Sequence, residues 1–267
     1  MIESLHSPHV ARVKALIGSR GVKERRESGL FVAEGLQAAR EALSSTGAPF
    51  IKNLYVTSAG LLKLSDFDLN EVDVVEVTDA VMNEMASTVT PQGILALCTV
   101  PRRQISDLST VAENKSLRVV YLHEIQDPGN AGTILRSADA MGVDAVVTSP
   151  GSVDMYSPKV VRATAGSLWH LPVYESVNIQ ELSTLLPLAK PLLLSSHAKK
   201  SILDLPLDAS YISVFGNEAR GVTADSLGLT ESAITSVTIP MAGRAESLNL
   251  SAAASIVIFT LSRGLAG

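Results

Sequence analysis

Three short stretches of this chain combine residue types that could bind an anion, bring bare backbone against a ligand and align a proton transfer. The first runs from Asp127 through Pro128, Gly129 and Asn130 to Arg136. Asp-Pro-Gly is a turn, and Asn130 is placed to cap the helix that follows it. A helix N-terminus beside an arginine is a ready phosphate site. The second stretch is Gly216-Asn217-Glu218-Ala219-Arg220-Gly221. Its two glycines bracket an Asn-Glu pair and let the backbone approach a ligand closely. The third starts at Ile239-Pro240-Met241-Ala242-Gly243 and continues to Ser247-Leu248-Asn249-Leu250-Ser251, just ahead of an apolar run. Taken singly, Asn130, Ser247 and Asn249 also read as helix caps and Arg136 as a surface cation. Their shared location gives them weight.

That location follows from the pattern of elements. From residue 117 onward, apolar strand segments at 118–122, 145–148, 171–175, 191–195, 211–215 and 236–239 alternate with helical segments, notably 132–141, 179–186 and 250–263. Such alternation predicts an α/β fold with a mostly parallel sheet covered by helices on both faces. Ligands of these sheets sit beyond the carboxyl ends of the strands. Each of the three stretches directly follows a predicted strand. Residues 252–261 show no polar face, so that helix needs apolar cover all round.

The first hundred residues read as a small α/β unit. Ser7-Pro8 starts a helix towards Gly18, a second helix is expected over 34–45, and Thr78 caps a third. Apolar segments at 53–57, 74–77 and 94–100 supply strands. The polar stretch up to about residue 116 reads as a linker, giving domains at 1–105 and 117–267. A chain starting near Ser106 is then expected to fold without the first domain.

Composition and absences narrow the chemistry. The chain has 267 residues, 46% apolar and 18% charged, which excludes a disordered protein. One cysteine, Cys98, excludes an internal disulfide and fits a reducing compartment. The histidines His6, His9, His123, His170 and His197 lack metal-ligand spacing, so no metal is expected. No apolar run is long enough for a membrane span and no signal peptide opens the chain, which points to the cytoplasm. The Gly-x-Gly-x-x-Gly and phosphate-loop fingerprints are missing. Net charge is −5, yet Arg12, Lys14, Arg20, Lys23, Arg25 and Arg26 cluster against the single acid Glu24. That run is either a solvated helix face or a phosphate-binding patch. Aromatic content of 4% disfavours a base-stacking platform.

The ordered set Asp-Pro-x-Asn-x-Gly-x-Ile-x-Arg, Phe-Gly-Asn-Glu-x-x-Gly and Ile-Pro-Met…Ser-Leu-Asn-x-Ser resembles the three motifs of the SpoU (TrmH-type) RNA ribose 2′-O-methyltransferases, in the SPOUT superfamily. Ala219 and Leu250 depart from the common glycine and valine without touching a polar role. Phe31-Val32-Ala33-Glu34-Gly35 and Gln92-Gly93 are more weakly similar to the RNA substrate-binding domain often fused ahead of it. The resemblance implies a C-terminal trefoil knot, a homodimer, and S-adenosylmethionine held at Leu194, Gly216, Ile239, Met241 and Leu248. It implies a catalytic set of Asn130, Arg136, Glu218, Ser247 and Asn249, with Arg136 as phosphate-assisted base. Because arginine stays protonated, a clamp that binds phosphate and acidifies the hydroxyl is the alternative. Arg12, Arg20, Lys23, Arg25 and Arg26 are expected RNA contacts. Arg162 is either another RNA contact or an interface arginine. The implied substrate is structured RNA, ribosomal in the leading reading. A tRNA ribose methyltransferase and a non-catalytic RNA-binding scaffold stay open as alternatives.

Overall fold

The computed structural model describes residues 1–44, 46–112, 115–216, 221–245 and 247–263. Its contacts divide the chain into two compact units: Met1–Arg102 with Asp154–His170, and Arg103–Val153 with Leu171–Gly267.

In the first unit, α1 (Pro8–Ile17) starts as its sequence dictates, with Pro8 in the first turn and Ser7 Oγ accepting the Val10 N–H at 3.3 Å. Its Val10, Val13 and Leu16 are buried. A helix α2 (Gly21–Ser28) and a strand β1 (Leu30–Glu34) follow, neither visible in the sequence pattern. α2 has a single large apolar residue, Val22, and so no hydrophobic period. The expected helix at 34–45 is shortened to α3 (Leu36–Ala42), because Gly35 at φ 99° separates Glu34, still in β1, from the helix. The unit continues with β2 (Ile51–Val56), α4 (Ser58–Leu62), β3 (Val74–Glu76), α5 (Asp79–Met85) and β4 (Ile94–Thr99). Thr78 caps α5 as expected. The sheet order is β1-β4-β2-β3, with only β2 and β3 parallel.

The second unit holds α6 (Asp107–Ala112), β5 (Arg118–His123), α7 (Pro128–Ala140) and β6 (Ala145–Thr148). After α8 (Pro158–Ala163), which belongs to the first unit, come β7 (Val173–Tyr174), α9 (Ile179–Leu185), β8 (Lys190–Leu194), β9 (Tyr211–Gly216), β10 (Thr235–Val237) and α10 (Leu250–Ser262). The six strands run in the order β10-β8-β9-β5-β6-β7, and every pair is parallel. Both faces of β5 are covered. Val119 and Tyr121 pack with Ile179 and Leu182 of α9, while Val120 and Leu122, of opposite parity, are equally buried. α7 and α10 pack against each other. Arg118, 3% exposed, donates through Nε to the Leu261 carbonyl at 3.1 Å and through its terminal nitrogens to the carbonyls of Leu117, Ala209 and Leu207.

Asp154–His170 is built into the first unit. Phe31 of β1 stacks obliquely on Tyr156 and Trp169, with ring centroids 5.0 and 5.4 Å apart. Asp154 pairs with Arg25, and Arg162 lies 3.8 Å from Glu34. This revises the expectation for a chain starting near Ser106. Such a chain leaves Tyr156, Val160, Val161 and Trp169, all buried here, without the rest of their unit. It should precipitate or show no cooperative melt, whereas the full chain melts cooperatively; thermal denaturation of both decides.

Glu34 supplies a second, pH-dependent fastening. Its carboxylate accepts the Ser87 N–H at 2.8 Å, Ser87 Oγ–H at 2.6 Å, the Thr88 N–H at 3.3 Å and the Thr88 hydroxyl. Burial raises its pKa, but these four donors more than offset that and hold it below the ordinary 4.5. A carboxylate depressed in the folded state stabilises above its unfolded pKa, and that stability is lost as pH falls through the folded value. Glu34→Gln should therefore cost about 1–3 kcal/mol at pH 7. The gap to the wild type should close on acidification below about pH 4, measured by denaturant unfolding across pH.

Candidate functional site

The carboxyl ends of β8, β9 and β10 open into a cleft of about 560 Å³. Leu194 ends β8 and Gly216 ends β9; Thr238, Ile239 and Met241 follow β10, and Ser247, Leu248, Asn249 and Leu250 enter α10. The walls combine apolar side chains with polar surface, including the hydroxyls of Ser195, Ser196, Thr238 and Ser247, and no charged side chain lines them among the described residues. A Cβ at Gly216, the last residue of β9, would run into Val222 Cγ2 and push that side chain aside. Met241 and Leu248 stand 41% and 38% exposed at the mouth, apolar area that a ligand would cover. The five residues expected to hold a cofactor thus share one cavity with Ser247 and Asn249.

Asn130 has a different local role from the one expected. The cap of α7 is Asp127, whose Oδ1 accepts the Asn130 N–H at 2.6 Å, with Pro128 occupying the first helical position. Proline fixes the start one turn earlier, which leaves Asn130 inside the helix. Asn249 does cap α10: its Oδ1 accepts the N–H groups of Ser251 and Ala252 at 3.0 and 3.3 Å. Ser251 Oγ joins the two helices, 2.6 Å from Asn249 Oδ1 and 3.1 Å from Asn130 Oδ1, and its single proton serves one acceptor at a time. Two turns further along α7, and one along α10, Ser137 and Ser255 meet at 2.8 Å. Sequence reasoning missed this seam; Ser251 and Ser255, four apart in an otherwise apolar helix, are its signal.

Arg136 is exposed on α7 outside the cleft lining, and its guanidinium has no ion pair among the described residues. Glu218 lies outside the described residues. Of the basic cluster, Arg12, Arg20, Lys23 and Arg26 are exposed on α1, α2 and the turn between them. Arg25 is not: it is 5% exposed, with Nε and Nη2 each 2.7 Å from Asp154 Oδ2 and Nη1 donating to the Leu16 carbonyl. That corrects its expected role, because every edge of the guanidinium is spent inside the first unit. Arg162 belongs to that unit too, donating to Ser87 Oγ at 3.0 Å, and does not line the cleft. Among the described residues, no helix is long and apolar enough to cross a membrane, and no acidic, His or Cys group could hold a metal.

Residues 117–259 match the SpoU rRNA Methylase family, and residues 8–96 match the MRM3-like substrate binding domain. The 23S rRNA guanosine 2′-O-methyltransferase RlmP of Bacillus subtilis is 31% identical over 250 residues, covering 90% of this chain and 91% of its own. A 23S rRNA uridine 2′-O-methyltransferase of Streptomyces viridochromogenes is 27% identical, covering 92% of this chain and 86% of its own. The crystal structure of an AdoMet-bound rRNA methyltransferase from Sinorhizobium meliloti superposes with a TM-score of 0.82 at 26% identity, covering 100% of this chain and 98% of that one.

The cap geometry is open to direct measurement. Asn249→Ala should lower stability by about 1 kcal/mol, and Asn249→Asp, which keeps the acceptor, by a few tenths at most. Equal losses in chemical denaturation would mean that the Oδ1 bonds do not hold the helix start.

Proposed function

The chain belongs to the SpoU rRNA methylase family and is an S-adenosylmethionine-dependent RNA methyltransferase; from that premise we propose that it methylates a ribose 2′-hydroxyl of ribosomal RNA. The two 23S rRNA relatives act at a guanosine and a uridine, yet both at the 2′-oxygen. The common reacting centre is the ribose, so base choice belongs to the surfaces that position the RNA.

The observation that carries the reading is the cleft at the ends of β8, β9 and β10. Its volume falls within the roughly 300–1,000 Å³ of small-molecule sites. Apolar Leu194, Ile239 and Leu248 suit a flat purine, and the serine and threonine hydroxyls suit its polar edges. Among the described residues no cation lines the cavity, so they impose no direct repulsion on a sulfonium. The residues fit the cofactor. S-adenosylmethionine supplies an electrophilic methyl group; the protein must bind it, align the hydroxyl and accept or relay a proton.

Asn249, Ser251 and Asn130 form the polar seam beside the cleft and orient the ribose. Arg136, exposed and free of an acidic partner among the described residues, draws a phosphate to the site and stabilises the developing alkoxide. Ser247 supplies a hydroxyl at the cleft mouth. Glu218 completes the set by resemblance to the second motif. The first unit reads the RNA with Arg12, Arg20, Lys23 and Arg26 on its surface, and the second unit performs the transfer. The same reading gives the C-terminal segment a trefoil knot. It also makes the chain a homodimer, whose interface covers the exposed apolar row Ala252, Ile256 and Phe259 of α10.

Mass spectrometry of ribosomal-RNA nucleosides, with and without the active gene, tests the reaction: one 2′-O-methyl mark should disappear. Arg136→Ala should lower methyl transfer by about 100-fold or more, the scale for losing one preorganised charge-stabilising donor. Its S-adenosylmethionine affinity and melting temperature should match the wild type. Turnover at the wild-type rate would remove Arg136 from the mechanism.

A further inference from the structure

Among the described residues the cleft wall carries no charge, but its rim does. The loop after β8 contributes Ser195 and Ser196 to the wall and then carries Lys199 and Lys200. That loop is pinned. Ser195 N–H donates to the Val237 carbonyl, the Lys200 carbonyl accepts the N–H of Thr238, and Ile202 N–H donates to the Thr238 carbonyl, each at 2.9 Å. Thr238 is itself a wall residue, so the backbone of Lys200 lies next to the cleft wall. Arg244 lies midway between Met241 and Ser247, both of which line the cavity. Three residues of chain span at most about 11 Å, which keeps the Arg244 backbone within that distance of both.

All three cations are exposed, and none has an ion pair among the described residues. Lys14, Lys23, Arg40 and Lys115 do have acidic partners, in Glu84, Glu27, Asp66 and Asp144, whereas isolated cations such as Lys190 have none among the described residues. In a chain of net charge −5, unpaired cations on two adjacent loops of one cleft call for an anion from outside.

We infer that Lys199, Lys200 and Arg244 form a phosphate grip that holds the RNA backbone next to the nucleotide being modified; this rests on the reading of the chain as an RNA ribose methyltransferase. Phosphodiesters carry a fixed charge beside every ribose, so a grip at the cleft rim serves any base. Lysines act there as movable point charges, and the arginine adds a two-pronged contact. The competing anion is the carboxylate of the cofactor itself, which shares the same chemistry.

The test uses the full chain with Lys199→Gln, Lys200→Gln and Arg244→Gln combined, and Lys190→Gln as control. Lys190 is exposed at the opposite end of β8. The probes are S-adenosylmethionine alone, by calorimetry, and an unmodified 23S rRNA transcript, by filter binding across salt. The triple variant should keep the wild-type melting temperature and cofactor affinity. Its RNA affinity should fall about tenfold or more, and the slope of log affinity against log salt should flatten by about 0.7–1 for each phosphate no longer neutralised. The KM for RNA should rise, while the control matches the wild type. Weaker cofactor binding without RNA would assign the cations to the cofactor's carboxylate and overturn the inference. Unchanged RNA affinity and slope would overturn it equally. A wild-type chain that leaves the transcript unmethylated and unbound would overturn the function reading along with it.

Discussion

The second unit depends on a buried charge that has no ion pair among the described residues. Arg118 opens the central strand β5, and its guanidinium is satisfied by main-chain carbonyls, including that of Leu261 in the last turn of α10. Burial lowers its pKa, against the opposing influence of Tyr211, Asp144 and Asp208, and the Tyr211 ring lies 5.4 Å away. A desolvated cation is tolerable only when its donors are used, and the last carbonyls of a helix need partners. Each need answers the other. With its end fixed at the amino edge of the sheet, α10 spans about 20 Å and delivers Asn249 to the carboxyl edge. The site is the free end of an anchored rod.

How much of this could be read from the sequence varied with the physical origin of each feature. Ala145–Thr148 and Tyr211–Gly216 were legible because short apolar runs between turn residues have few other uses. The cleft was legible too, because the parallel sheet places Gly216, Ile239 and Leu248 at one edge, as their positions after strands required. α2 and β1 were not, since the helix lacks an apolar period and the strand is a short buried run set off from it only by a glycine. Asn130 was misplaced by one turn because Asp127-Pro128 is the stronger start signal. Charge alone could not separate Arg25 from Arg26: adjacent in sequence, one is sealed against Asp154 and the other faces water. Burial is a long-range property.

Ser251 shows the same limit from the other side. Its hydroxyl is ordinary in sequence, yet it links two helices that begin more than a hundred residues apart. Polar atoms within an apolar helix cost stability unless they find partners. Ser251 and Ser255 find theirs on α7, so the packing of the helix pair also sets how Asn130 and Asn249 approach the shared Ser251 hydroxyl.

The placement of Asp154–His170 reaches beyond the folded state to how the chain is made. A ribosome adds about 5–20 residues per second, so roughly 70 further residues separate the emergence of Arg102 from that of His170 by several seconds. During that interval the first unit exists without Tyr156 and Trp169 against Phe31, and without the carboxylate that neutralises Arg25. The nascent N-terminal sheet therefore waits, with an open aromatic face, for a strip of chain encoded well downstream. Growth of the polypeptide, rather than its folding speed, sets when the first unit can close.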